Sequence, residues 1–219
     1  IITKGDLDSY GFIIQRIFNH NGNEIERLLF MNNGSLSQKF VSTYDSLGKL
    51  NNFKVYKPDG SLFFTNNFKY DDKGNLIEFI SLNSEGLLAF RITSIYDGKN
   101  NKPVEKISYG SNGSVMFKDK NQYDKNGNLI EKSSYSMNGD LMFVSKFKYD
   151  AIGNEIERST TNSEQLLVTK NTIRFDDARN PIESIEYNLD NGKNYVHTFI
   201  YEFDKNNNWI KKIEYEDKA

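Results

Sequence analysis

Tyr70-Asp71-Asp72-Lys73-Gly74-Asn75-Leu76-Ile77-Glu78 is the stretch on which the fold depends. Gly accepts a positive φ without steric cost, and Asp or Asn hydrogen-bonds its own backbone. A polar run closed by Gly-Asn between an aromatic and an aliphatic residue therefore reads as a tight turn between two strands. Just upstream, Leu62, Phe64, Asn66, Phe68 and Tyr70 alternate with the more polar series Phe63, Thr65, Asn67 and Lys69. A period of two marks a strand with one apolar and one largely wet face.

The pattern recurs along the whole chain. An aromatic followed by Asp or Asn stands at Phe18-Asn19, Tyr44-Asp45, Tyr70-Asp71, Tyr96-Asp97, Tyr123-Asp124, Tyr149-Asp150, Phe175-Asp176 and Phe203-Asp204, at spacings of 26, 26, 26, 27, 26, 26 and 28. Its turn is completed at Gly22-Asn23, Gly48-Lys49, Gly74-Asn75, Gly127-Asn128 and Gly153-Asn154, with Arg179-Asn180 and Asn207-Asn208 as later variants. A second turn follows each aromatic at a nearly constant interval, at Asn33-Gly34, Asp59-Gly60, Glu85-Gly86, Asn112-Gly113, Asn138-Gly139 and Asn191-Gly192, with Glu164-Gln165 as the exception. Asn-Gly and Asp-Gly between alternating apolar runs are strong hairpin signals, so each unit reads as one β-hairpin.

The strand after the second turn alternates cleanly, as in Leu141, Phe143, Ser145, Phe147 and Tyr149. The other strand carries an aliphatic residue at Ile25, Ile77, Val104, Ile130, Ile156, Ile182 and Ile210, then an aromatic at Phe30, Tyr56, Tyr109, Tyr135, Tyr187 and Tyr215. Where both are present in one strand they stand five apart, an odd separation that points them to opposite faces. That predicts either a bulge between them or partial burial of both faces. No stretch sustains a helical stripe. The expected fold is all-β: an antiparallel hairpin-repeat sheet of about eight hairpins and roughly sixteen strands, forming a single repeat domain over residues 1–219. At about 4.8 Å per strand such a sheet would extend about 77 Å if flat, and its apolar side would need cover, so it is expected to curl into a spiral or open shell. Phe203 to Ala219 reads as an incomplete last unit and Ile1 to Ile17 as the tail of a preceding one, which predicts a piece of a longer array.

Composition narrows the function. With 28 Lys and Arg against 30 Asp and Glu the net charge is -2, with both signs interspersed, so no basic footprint for nucleic acid exists. No Cys is present, and two His, His20 and His197, cannot build a His-rich metal site. No run of about 18 apolar residues is found, and the opening IITKGDLDSY carries no cleavable signal pattern. Asn66, Asp119, Ser145 and Asn171 would interrupt the lipid face of a transmembrane barrel, so membrane insertion is not expected.

The segments Tyr70 to Glu78 and Tyr123-Asp124-Lys125-Asn126-Gly127-Asn128-Leu129-Ile130-Glu131 resemble the YD repeat of the RHS family, whose hallmark is Tyr-Asp, two variable residues, Gly, a polar residue and an aliphatic. The resemblance spans nearly the full chain. It departs from the family in its longer, 26-residue period and in copies with Phe or Asn for Tyr or Asp, and it brings no core domain or toxin tip. It implies a secreted or surface bacterial protein whose hairpins form a spiral sheet, in some members a hollow shell around another polypeptide. It carries no catalytic residue over to the repeats.

Three rows of side chains invite a chemical reading. Glu26, Glu78, Glu105, Glu131, Glu157 and Glu183 form a ladder, continued by Asn52 and Lys211, with neighbours about 9.6 Å apart across two strands. That spacing is near that of an inverting glycosidase pair, but catalysis needs carboxylates in unlike environments, and equivalent rungs read as a solvated ladder shielded by Lys. The turns Asp124-Lys125-Asn126-Gly127-Asn128 and Asp204-Lys205-Asn206-Asn207-Asn208 cluster oxygens without the spacing of a calcium loop, so capping of their own backbone is the expected role. The aromatic rows read first as packing and second as stacking platforms for sugars, with Tyr56, Tyr109, Tyr135, Tyr187 and the single Trp209 as the ligand-binding candidates. No catalytic, metal or cofactor site is expected. The sequence points to a non-catalytic structural or interaction module of a bacterial extracellular or cell-surface protein, with the periplasm as a second compartment. The alternative is a carbohydrate-binding module. A protein or glycan partner, and self-association through edge strands, are the expected interactions.

Overall fold

The computed structural model describes residues 2–7, 13–98, 101–188, 192–205 and 208–218. The turns expected at Asn191-Gly192 and Asn207-Asn208 lie partly outside them. The described residues form seventeen strands and no helix: β1 (Ile2–Leu7), β2 (Ile13–Phe18), β3 (Glu24–Phe30), β4 (Leu36–Tyr44), β5 (Leu50–Tyr56), β6 (Leu62–Tyr70), β7 (Leu76–Asn83), β8 (Leu88–Tyr96), β9 (Pro103–Tyr109), β10 (Val115–Tyr123), β11 (Leu129–Ser136), β12 (Leu141–Tyr149), β13 (Glu155–Asn162), β14 (Leu167–Phe175), β15 (Pro181–Asn188), β16 (Lys193–Phe203) and β17 (Trp209–Lys218). Successive strands pair antiparallel from β1 to β8 and from β10 to β17. Contacts cluster into two compact units, Ile1–Asp97 with Lys106–Met116, and Gly98–Glu105 with Phe117–Ala219.

One turn is used at both edges of the sheet. Between β4 and β5, Asp45 N donates to Lys49 O at 2.8 Å and Gly48 N to Asp45 O at 3.0 Å. Gly48 sits at φ 78. Between β5 and β6 the same two bonds join Lys57 N to Ser61 O at 2.9 Å and Gly60 N to Lys57 O at 3.0 Å. This is a three-residue loop in which a left-handed residue follows a type I turn, a geometry that suits the twist of the flanking strands. Where Gly is missing the loop persists at a steric cost, with Gln165 at φ 64 and Arg179 at φ 69.

Just after most of the described turns the ladder slips by one residue, whereas β15 and β16 pair without a slip. Tyr70 pairs with Leu76 while Lys69 pairs with Glu78, leaving Ile77 as the extra residue. The same slip singles out Ile25, Asn51, Ile130, Ile156, Ile182 and Ile210 at one edge. At the other edge it singles out Ser37, Phe63, Ala89, Met142 and Val168. A bulge, one of the two expected alternatives, therefore exists, but it falls on the aliphatic residue itself and not between it and the aromatic. It also recurs in the strands whose alternation reads as clean. Leu62 pairs with Tyr56 and Phe64 with Val55, so Leu62 and Phe64 lie on opposite faces despite standing two apart. Each repeat unit is thus two copies of one strand-and-turn module, a shorter one from Tyr44 to Tyr56 and a longer one from Tyr56 to Tyr70.

The register sorts side chains onto two faces. One carries phenylalanines whose rings meet across strands, Phe40 with Phe53 at 6.0 Å, Phe68 with Phe79 at 5.2 Å and Phe79 with Phe90 at 5.3 Å between centroids. The other carries the glutamate row. Each strand has two exposed flanks in a single layer, so full burial is scarce: among the described residues only Ile14, Val55, Thr65, Ser81 and Gly127 are buried.

Candidate ligand-binding face

Successive repeats are stapled to each other by phenols. Tyr44 Oη donates to Glu24 O at 2.8 Å, Tyr70 to Leu50 O at 2.9 Å, Tyr96 to Leu76 O at 3.1 Å, Tyr123 to Pro103 O at 3.0 Å, Tyr149 to Leu129 O at 2.9 Å and Tyr201 to Pro181 O at 3.1 Å. Each bond ties the aromatic that ends one unit's strand to the backbone just past the turn of the unit before. In the last unit Tyr201, and not Phe203, has this role, because only Tyr201 carries the hydroxyl. Loss of solvent around the phenols of Tyr70 and Tyr96 holds their pKa above the ordinary tyrosine value, and the carboxylates of Asp45 and Asp71 add to the effect.

The turn aspartates cap their own loops. Asp71 Oδ1 accepts from Lys73 N at 3.0 Å and Asn75 N at 2.8 Å, while Oδ2 accepts from Asn75 Nδ2 at 2.9 Å. These bonds, the Asn75 side chain first, hold the Asp71 carboxyl below the ordinary value. At Asp124 the backbone of Asn128 leads the same depression. Lys49 and Lys102 stand where other turns have this Asn, and they reach instead into the next turn. Lys49 Nζ donates to Gly74 O at 2.8 Å, and Lys102 Nζ bonds Gly127 O. Among the described residues no group of three or more His, Asp or Glu is placed to hold a metal ion.

Four of the six glutamates in the row are paired at a fixed interval along the chain, while Glu183 meets Arg174 on the preceding strand at 3.0 Å and Glu131 accepts from Gln122 Nε2 at 3.0 Å. Glu26 meets Lys39 at 2.6 Å, Glu78 meets Arg91 at 2.6 Å, Glu105 meets Lys118 at 2.7 Å and Glu157 meets Lys170 at 3.2 Å, each base lying on the strand that follows its glutamate. Lys148 also reaches Glu157 at 2.8 Å, and its hydrogen bond leads those that hold this carboxyl below the ordinary glutamate value. A carboxylate held ionised in this way is unsuited to act as a general acid near neutral pH.

The tyrosine row lies on the same face, one strand further on. Tyr56 pairs with Lys39, Tyr135 with Lys118 and Tyr187 with Lys170. Arg91 lies over the Tyr109 ring at 5.1 Å and Lys120 over Tyr135 at 5.5 Å. Glu, base and Tyr therefore repeat as triads on consecutive strands: Glu26–Lys39–Tyr56, Glu78–Arg91–Tyr109, Glu105–Lys118–Tyr135 and Glu157–Lys170–Tyr187. All four tyrosines are half-buried. Tyr56 also lines a groove of about 420 Å³ with Leu36, Lys39 and Val41. Trp209 is not part of this row. It pairs with Phe203 on the phenylalanine face and is 59% exposed.

Two larger grooves, absent from the sequence reading, open between consecutive aromatic-Asp turns. One, of about 680 Å³, is lined by Asn19, Asn23, Ile25, Tyr44 and Asp45. The other, of about 810 Å³, is lined by Asp150, Asn154, Ile156, Phe175 and Asp176 at the same positions of the repeat. The bulged isoleucines are the signal that could have found them, since a bulge re-aims its side chain toward the turn.

No protein-family model and no curated protein matches the chain. Among solved structures it is similar to a chain in the crystal structure of TcdB2-TccC3-Cdc42 (13% identity, TM-score 0.41) and to one in TcdB2-TccC3 without its hypervariable C-terminal region (12% identity, TM-score 0.40). Each match covers 97% of this chain and only 14% of the other. It is also similar to a porin-like protein from Bacteroides uniformis ATCC 8492, at 10% identity and TM-score 0.45, covering 99% of this chain and 93% of that one.

Proposed function

We propose that the chain is a non-catalytic repeat module, a scaffold or interaction surface of a bacterial secreted or cell-surface protein built on a YD-like hairpin repeat. The observation that carries this reading is the phenol staple, repeated in six units. In five units the Tyr of the Tyr-Asp signature joins one unit to the one before, and in the last Tyr201 does so; the capping Asp closes the turn, and five glutamates of the row, Glu26, Glu78, Glu105, Glu157 and Glu183, each meet a Lys or Arg. The signature residues thus serve the array, as expected of a solenoid whose units lack independent stability. Immunoblotting of fractions from the source bacterium is expected to find the protein outside the cytoplasm; confinement to the cytosolic fraction would overturn the assignment.

A second reading, a carbohydrate-binding module, is favoured by the groove beside Tyr56, where a half-buried ring stands next to an ion pair. A ring face for sugar C–H groups and charged partners for hydroxyls are what such a site needs. Screening the protein against a glycan array discriminates the two. The scaffold reading expects no ligand, whereas binding that disappears in Tyr56→Ala and Tyr135→Ala would establish the second.

A further inference from the structure

We propose that Asn138-Gly139, at the tip between β11 and β12, is a site of spontaneous deamidation, and that the fold selects it from five described Asn-Gly pairs that share one turn position. The five are Asn21-Gly22, Asn33-Gly34, Asn112-Gly113, Asn126-Gly127 and Asn138-Gly139. In every one the Gly N–H is engaged with the carbonyl three residues back and the Gly is left-handed. Sequence alone ranks them equally.

The reaction needs the turn to open. The Gly139 nitrogen attacks Asn138 Cγ and gives its proton to solvent; the bond from Cγ to the side-chain nitrogen breaks and ammonia leaves. Water then opens the five-membered imide at either carbonyl, giving aspartate or isoaspartate, with no change of oxidation state. While Gly139 N donates to Ser136 O at 3.0 Å, its lone pair and geometry are unsuited to attack. The rate therefore follows how easily each loop frays, which is set by the cap.

The caps differ. Asn19 Oδ1 accepts from Asn21 N and Asn23 N, both at 3.0 Å. Asp124 Oδ1 accepts from Asn126 N at 2.9 Å and Asn128 N at 2.8 Å, and Oδ2 from Asn128 Nδ2 at 3.0 Å. Asn33 and Asn112 lack such a cap, but their own side-chain carbonyls are held by Ser35 N and Ser114 N, each at 3.0 Å. Around Asn138 only the Ser136 hydroxyl caps the loop, with two bonds of 3.2 Å to Asn138 N and Asp140 N. No hydrogen bond of the Asn138 side chain is found among the described residues, and a Cβ placed on Gly139 would meet nothing within 4 Å, so the ring has room to close. The aspartate product is one the array already tolerates, since Asp59 occupies this turn position between β5 and β6.

Incubation of the folded protein at mildly alkaline pH, followed by peptide mapping with mass spectrometry, tests this. Asn138 should gain the one-dalton shift first, Asn33 and Asn112 next, and Asn21 and Asn126 last. Asn138 should lead Asn126 by about fivefold, the factor by which one hydrogen bond of ordinary net strength changes an opening equilibrium. In denaturant the five should converge. Ser136→Asp should slow Asn138, and Asp124→Ala should accelerate Asn126. Equal rates at Asn126 and Asn138 in the folded protein, or a ranking that survives in denaturant, would overturn the proposal.

Discussion

The tyrosine of each unit acts through a single oxygen. Removing it in Tyr70→Phe leaves the ring in place and abandons the Leu50 carbonyl, so a loss of about 1 kcal/mol is expected in urea denaturation. The reciprocal change Phe175→Tyr places a hydroxyl where the repeat otherwise has one, and a gain of similar size is expected. The raised phenol pKa values of Tyr70 and Tyr96 add a pH signature. Both values exceed the ordinary one, so their contribution is complete below about pH 10 and is lost as pH rises through the folded values. Urea midpoints are therefore expected to fall as pH rises from about 8 to about 11, and to fall less in Tyr70→Phe/Tyr96→Phe. The sequence shows that an aromatic stands at each of these positions; that its hydroxyl reaches back to the preceding unit could not be read, because the bond depends on stacking of two units and not on either alone.

At the scale of the element, the turns were legible and the bulges only in part. Gly, Asp and Asn mark the loops by chemistry that acts between near neighbours in the chain, so Tyr44-Asp45 to Lys49 declares itself. The slip that puts Ile77 out of register belongs to the pairing of two strands, and the odd spacing to the next apolar position revealed it only where two apolar rows could be compared. It stayed hidden at Phe63 and Met142, where alternation reads as regular. The kinship of the two strand-and-turn modules in each unit was masked in the same way, since Leu82 and Thr161 occupy the place where Tyr56 and Tyr135 announce it. The tyrosine row recurs on one face as its spacing predicts, and its half-burial follows from the bases and ion pairs that stand beside it on that face. Loops without Gly expose the conformational cost: Gln165→Gly should stabilise the protein by about 1 kcal/mol, the left-handed penalty less the added chain entropy. A thermal melt that shows no gain would mean that Gln165 has a compensating contact.

For the whole molecule, the module count has a parity. Deleting Asp45 to Tyr70 removes two modules and joins Tyr44 to Asp71, restoring the signature and keeping every later residue on its face. Circular dichroism and a cooperative melt at somewhat lower temperature are expected. Deleting Lys57 to Tyr70 removes one module, so each later strand enters from the wrong side and the glutamate row exchanges faces with the phenylalanines. That protein is expected to lose its cooperative transition. The phenol staple has a further consequence in time. Its reach of one unit and the hairpin ladders mean that the described contacts of a unit lie close along the chain, giving low contact order. A polypeptide emerging from a ribosome or threading an export channel can therefore complete each hairpin against the last one formed, growing like a zip whose teeth engage in the order in which they arrive.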